Sequence, residues 1–409
     1  MKRRTILKYG VIVALSLFLF YKGILPSWNT VHSDFANYYV SAKLIQTPSN
    51  LDSLYNDRWF QEQAVRLRVL EAVKFSPFPP VTACVMVPLT LFDLEAANRI
   101  WIIVNVLLFF PAIIVLKKIT KWSSPLCMLF VLGSGLSLIN NIKFGQLYWL
   151  MTVALLYSYY WADQKKQVSS GLILGAFTSI KYFPIIFIAG QIFAKRYKTV
   201  VFSLLTIALV FFWEVYFFGL TVMREYFTVA LLPHLNGHLS SQNSSAFEFQ
   251  SWESLLSNLL ANTNSPFAKD TAKWVVHFAF VFPLMLIFYK SRGKLLSERL
   301  SRSICFALPA LAALALLPAS ATYHYILLLI PTGILLSDSI FSKKESRVVL
   351  FLYLCIGFIP YRFFFELGRS VFLPLAYPRL WLLTFLYFFV TYLTVQQLRD
   401  HKTIISDEK

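Results

Sequence analysis

Apolar runs about as long as a bilayer is thick recur from one end of this 409-residue chain to the other, and they fix its class before any motif is considered. A helix needs roughly 20 mostly apolar residues to cross the hydrocarbon core. Ile6–Leu25 is the first such run, followed by Pro77–Phe92 and Ala96–Leu116. Others lie near 125–140, 145–162, 168–181, 182–194, 199–219, 271–290, 302–319, 322–341, 346–362 and 379–397. With 57% hydrophobic and only 14% charged residues, the chain carries more apolar surface than one aqueous core can hide. The expected fold class is all-α: a polytopic helical membrane protein, one integral membrane domain over 1–409, with about twelve transmembrane helices.

The net charge of +18 invites a nucleic-acid reading, which the positions of the charges exclude. Lys2, Arg3, Arg4 and Lys8 precede the first run. Lys117, Lys118 and Lys121 share one short connection, Lys165 and Lys166 a second, and Lys195, Arg196 and Lys198 a third. Lys290, Arg292, Lys294, Arg299 and Arg302 cluster, as do Lys343, Lys344 and Arg347. Basic clusters between apolar spans orient a chain with those loops in the cytoplasm. The expected partners are therefore membrane lipids and not nucleic acid. This logic puts the N-terminus inside and two long polar stretches, 27–76 and 221–270, on the opposite face. Pro77–Phe92 strains the scheme, because a full crossing there would carry Lys117–Lys121 outside. It has only 16 residues and begins Pro77-Phe78-Pro79-Pro80, so it is expected to dip in or cross obliquely. The first run lacks a small-residue cleavage site and reads as a retained anchor. Abundant Phe, Lys and Ile with few Gly suggest a bacterial source, hence the inner membrane. Cys84, Cys127, Cys305 and Cys355 have no metal-ligand spacing and read as buried free thiols.

Both outer loops show helical periodicity. Phe35, Tyr38, Tyr39 and Ala42 fall on one face, with Ser33 as the expected N-cap. Asp57 is the expected cap of a second helix through Trp59, Phe60, Ala64 and Leu67. Trp252, Leu255, Leu256, Leu259 and Leu260 form a third stripe. Such helices are expected to lie along the outer membrane surface, walling a site that faces both water and lipid.

Asp34 is the foremost chemical candidate. It is either a first-turn acid favoured by the helix dipole or a general base at the membrane surface. Tyr38 and Tyr39 beside it suit a sugar face. The Pro77–Pro80 segment carries no reactive group and reads as a stiff return into the bilayer. Asn140, Lys143 and Gln146 sit at a span end, where they bind sugar hydroxyls or phosphate, or simply make a polar turn. Lys181 interrupts an apolar run downstream of Gly171 and Gly175, which read as a helix-packing face. A lysine inside a span is functional by default, against snorkelling to the interface. His324, among Tyr323 and Tyr325, either donates to a phosphate or is an interfacial histidine. Gln242 and Asn243, in the run Ser240–Ser245, bind acceptor hydroxyls or belong to a solvated loop.

Taken in order, Asp34-Phe35 with Tyr38-Tyr39, Pro79-Pro80 with Pro88-Leu89, Gly145-Gln146, Gly171 and Gly175 before Lys181 and Pro184, and His324-Tyr325 resemble glycosyltransferase family 87, a branch of the multi-spanning GT-C superfamily. The resemblance implies a mannosyltransferase that uses a polyprenyl-phosphate sugar, with a glycan or glycolipid acceptor and Asp34 as the base. Leu147-Tyr148-Trp149 stands where the family has a small polar residue, and Thr322-Tyr323 where a tryptophan precedes the histidine. A lipid-phosphate leaving group needs charge stabilisation and no general acid, so Lys181, His324 and Lys143 become donor-phosphate candidates. Tyr38, Tyr39, Gln146, Asn140, Gln242 and Asn243 become sugar or acceptor contacts. No Asp-x-Asp pair occurs in the first outer loop, so neither a metal nor another cofactor is expected. The competing class is a transporter or flippase of a lipid-linked saccharide, which predicts paired charges near the midplane and inverted repeats.

Overall fold

The computed structural model describes residues 2–407 except 48–50, 240–241, 262–264, 292–297 and 338–340. Among the described residues every regular element is a helix and none is a strand. An all-α polytopic membrane protein follows, since backbone groups in lipid must pair within their own segment. Five helices are long and apolar enough to cross: Thr5–Asn29, Leu94–Thr120, Tyr197–Phe218, Phe267–Tyr289 and Pro378–Arg399. Two bent pairs, Ser124–Leu132 with Leu136–Lys143 and Lys343–Phe358 with Tyr361–Gly368, raise the number to seven if each is one span. Gln167–Ile180, Phe306–Leu316 and Thr322–Ser337 are shorter apolar helices. The expected count of twelve crossings is therefore not confirmed. One expected crossing, 125–140, is broken by a 75° bend at Gly133–Gly135.

The strained segment 77–92 resolves into a four-residue helix, Val81–Cys84, and a short 3₁₀ turn, Val87–Leu91, neither of which is long enough to cross. The chain instead comes back to the end of the first span. Asn98, near the start of the Leu94–Thr120 span, donates to the Ser27 carbonyl at 2.7 Å, and Arg99 to the Trp28 carbonyl at 3.2 Å. Lys117, Lys118 and Lys121 thus stand at the far end of a 27-residue span from Ser27. The difficulty those lysines posed for the positive-inside scheme disappears.

Gly171 and Gly175 do form a packing face. A Cβ at Gly171 would stand 2.6 Å from the Thr199 carbonyl oxygen, and one at Gly175 would stand 2.5 Å from that of Ser203. The Gln167–Ile180 helix therefore lies directly against Tyr197–Phe218, backbone to backbone.

The outer-loop helices differ from expectation. Ser33–Leu44 is buried nearly all round: Phe35 through Ala42 and Leu44 are all buried. Its two sides enter two apolar clusters, one around Phe60, Phe75 and Tyr226 and the other around Met86, Trp101 and Leu147. It is a wedge inside the protein, because its aromatics find partners on both sides. Ser33 is the first helical residue and not the cap; His32 holds that place, in extended conformation and without a side-chain bond. Asp57 is likewise inside its helix, and the cap is Asn56, which accepts from the Trp59 amide at 3.1 Å. Trp252–Leu259 forms as expected, capped by Ser251. Its Leu255 packs with Tyr377 and Leu380, facing the protein interior.

Cys127 is buried, whereas Cys84 and Cys355 are partly accessible; all three are free. The Cys305 side chain, Ser240, Ser241, and the side chains of the Lys290–Arg302 cluster lie outside the described residues.

Candidate active site

The site begins with a glycine. Gly145 has φ +66°, a region that L side chains enter at a cost, and a Cβ there would stand 2.7 Å from the Phe35 Cβ. Only glycine lets the end of the Leu136–Lys143 helix press against the acid-bearing helix. The next residue, Gln146, then meets that helix twice. Its side-chain Oε1 accepts from the Tyr38 hydroxyl at 2.9 Å, and the same side chain bonds Asp34. Since the carboxylate accepts, the Gln146 amide must be the donor to it.

Lys181 reaches the same point from another direction. It ends the Gln167–Ile180 helix in extended conformation and is 4% exposed. Its ammonium lies 3.9 Å from the Tyr148 ring centre, 4.4 Å from that of Phe78 and 5.7 Å from that of Tyr38. Aromatic faces hold the cation. Among the described residues no carboxylate lies within ion-pair distance of it, although its charge attracts Asp34. Snorkelling is excluded, for the side chain points into protein.

The stiff segment before the second span closes the site, so reading it as structurally bland was incomplete. Ser76, Pro77, Phe78 and Pro79 line the cavity. The segment is tied down by the Lys74 amide donating to Asn37 at 2.9 Å, the Val81 amide to buried Glu214 at 2.7 Å, and the Tyr55 hydroxyl to the Phe78 carbonyl at 2.8 Å. This brings the Lys74 side chain into the cavity wall, where burial holds its ammonium below the ordinary value and Asp57 and Asp34 pull it back up.

Asp34 is half-buried in the cavity wall, and loss of hydration raises its carboxyl above the ordinary value. The Gln146 hydrogen bond, then Lys181, then Lys74, pull in the opposite direction. His324 is occupied at both nitrogens. Nδ1 is 3.3 Å from the Ala321 carbonyl, to which it can only donate, so Nε2 accepts from the Tyr148 hydroxyl at 2.8 Å. The histidine thus orients Tyr148, whose ring carries Lys181. His234, from the second outer loop, pairs with the Tyr182 hydroxyl at 3.1 Å. Burial, with Lys74 and Lys181 nearby, pushes it down to about 4.

These groups surround a cavity of about 540 Å³. A second cavity of about 740 Å³ adjoins it, and the two share Ser33, Asp34, Gln242, Phe249 and Tyr323. Asp34 therefore stands where two chambers meet. Of these two cavities, Asn140, Lys143 and Asn243 line the second and not the first. The Asn243 side-chain Oδ1 is already taken by the Ser245 amide and hydroxyl, at 3.0 and 2.7 Å. Tyr38 lies beneath the first cavity as a support for Lys181 and Gln146. Tyr39 lines neither: its hydroxyl donates to the Phe92 carbonyl at 2.7 Å. Lys74 and His234 were missed by the sequence reading. Each sits in a polar stretch without periodicity, and only the proximity of Lys74 to the proline run was a signal. Among the described residues no three of His, Cys, Asp and Glu gather as a metal-holding group.

Residues 77–320, more than half of the chain, match the family model of glycosyltransferase family 87. The chain belongs to glycosyltransferase family 87. It is thus a membrane-embedded glycosyltransferase, of the GT-C type. The matched stretch holds Gln146, Lys181 and His234 and ends just before His324. Asp34 precedes it, and the fold delivers that acid to the family 87 residues through Gly145 and Gln146. No curated protein matches the chain.

Proposed function

We propose that this family 87 enzyme moves a sugar, mannose by resemblance, from a polyprenyl-phosphate donor to a hydroxyl acceptor, with inversion, on the non-cytoplasmic face of a bacterial inner membrane. The observation that carries the reading is Asp34 at the junction of two cavities, with the Lys181 ammonium beside it in the first. In this mechanism the donor phosphate occupies the first cavity near Lys181. The acceptor hydroxyl approaches from the second and gives its proton to the Asp34 carboxylate. Its oxygen bonds the anomeric carbon as the carbon–oxygen bond to phosphate breaks on the other side. Polyprenyl phosphate departs with its new charge met by Lys181, while His324 fixes Tyr148 beneath that cation. Burial favours the role of Asp34, since a carboxylate stripped of water is the stronger base.

The outer-face assignment is supported by the helical hairpin Tyr148–Asp163 and Gln167–Ile180. Its turn carries Lys165 and Lys166, and its open end carries Gln146 and Lys181. By the positive-inside rule the basic turn is cytoplasmic, so the site faces the other way. The test is purified Asp34→Asn supplied with polyprenyl-phosphate-mannose and a panel of glycan and glycolipid acceptors. Loss of product with donor binding retained is expected; undiminished turnover by folded variant removes Asp34 from the reaction.

A further inference from the structure

Four cations face the second cavity: Lys22, Lys143, Arg362 and Arg379. Two carboxylates face it as well, Asp34 and Glu248, and Glu248 acts on Arg362. Arg379 is the unusual member. It is 1% exposed, yet among the described residues no carboxylate pairs with it. Its backbone amide is fixed by the Gln250 side chain at 3.2 Å. Its guanidinium lies 5.9 Å from the ring centres of Tyr325 and Tyr361, and one terminal nitrogen donates to Thr322. Among the described residues its Nε has no hydrogen-bond partner. A buried guanidinium with an unused donor is costly unless an anion completes it. The planar fork suits a phosphate oxygen pair, and the surplus of cations over carboxylates suits a group that can carry more than one negative charge.

We propose that the second cavity is a phosphate-binding subsite centred on Arg379, which takes the phosphorylated headgroup of the acceptor. The word acceptor rests on the function proposed above; the anion site itself does not. The cavity is open beside the first span, whose Phe18 and Lys22 line it. Only 17% of the apolar 18-residue window of that span is buried inside the protein, so a headgroup carried on a lipid reaches the site sideways from the bilayer.

The experiment measures binding by native mass spectrometry and thermal shift on the purified full chain. The probes are inorganic phosphate, dioleoyl phosphatidate, dioleoylglycerol as the uncharged control, and undecaprenyl phosphate for the first cavity. Phosphatidate is expected to bind and dioleoylglycerol not. Arg379→Gln should weaken phosphatidate at least tenfold and leave undecaprenyl phosphate unchanged, whereas Lys181→Met should do the reverse. Competition that needs the lipid supports a headgroup site; full competition by inorganic phosphate alone would mark a site for the free anion and overturn the headgroup assignment. Phosphatidate affinity within twofold of wild type in Arg379→Gln overturns it, as does simultaneous loss of both lipids from a folded variant, which would mean a single anion site. Should Arg379→Gln fail to fold, the double variant Lys143→Gln with Arg362→Gln takes its place, and unaltered phosphatidate binding again overturns the proposal. Failure of undecaprenyl phosphate to bind wild type would sink the donor reading and leave this site standing.

Discussion

The two cavities share an acid but hold their cations by different physics. In the first, a lysine is clasped by three aromatic rings at the end of a helix, deep between the proline segment and the Tyr148–Asp163 helix. A ring face attracts an ammonium without a hydrogen-bond acceptor of its own, so the Lys181 donors are not committed to a carboxylate or carbonyl among the described residues. In the second, an arginine is locked by a backbone bond, a threonine and two tyrosines, and three further cations stand nearer the surface. The first chamber buries one ammonium among rings, with Lys74 and Arg58 farther along its wall; the second gathers four cations around one locked guanidinium. The first arrangement suits a charge that appears during reaction, and the second a charge that is present throughout.

The comparison can be broken in several ways, and the largest effect is expected where the chambers meet. Asp34→Asn should lower turnover by about 10²–10⁴-fold, the usual worth of a general base, with both ligands still bound. Lys181→Met comes next, at about 10²–10³-fold in kcat, since the charge it meets is greatest at the transition state. A rise in KM alone would show that the lysine only docks the donor. Gly145→Ala should then destabilise the fold by about 1–3 kcal/mol, seen as a lower Tm, because it strains the backbone and pushes on Phe35. An unchanged Tm would mean that the contact relaxes freely.

A smaller effect sharpens the acid itself. The proposed mechanism uses Asp34 ionised, so activity should rise with pH through the titration of its carboxyl, above the ordinary carboxylate range because burial raises it. Gln146, Lys181 and Lys74 each favour the ionised form, in that order. Removing any of them should move the acid limb to still higher pH, most for Gln146→Leu and least for Lys74→Met, as a pH–rate profile would show. A shift to lower pH would contradict the placement of these groups. His234 gives the smallest change. Pushed down to about 4, it is neutral wherever the enzyme is assayed near neutral pH, so His234→Gln should cost under about tenfold in rate, the scale of one neutral hydrogen bond, and leave the profile's shape intact. A new basic or acidic limb would show that the imidazole titrates during turnover.

The all-helical membrane class was legible because hydropathy and basic clusters act over whole spans, where no single residue decides. Asp34 and Lys181 were legible for a related reason: a charge in apolar surroundings is conspicuous. The surroundings themselves were not. Nothing in a stretch such as Phe35–Ala42 distinguishes a helix lying on a membrane from one wedged between two clusters, since the same aromatics serve both. Tyr39 was misplaced by that ambiguity, its hydroxyl being turned to the Phe92 carbonyl. Arg379 escaped notice because it follows Pro378 at the start of a span, where a basic residue looks like an interfacial anchor. Only the bend after Phe358 and the tyrosines at 325 and 361 reveal that it faces inward.

On the proposed mechanism, an Asp34 that borders both chambers has no means of telling an alcohol from water. With a donor seated and the neighbouring chamber vacant, the nearest hydroxyl is that of solvent, and slow waste of activated sugar is the natural background of such a layout. The filling of the larger chamber, and the order in which the two are filled, thus becomes the enzyme's protection against hydrolysis.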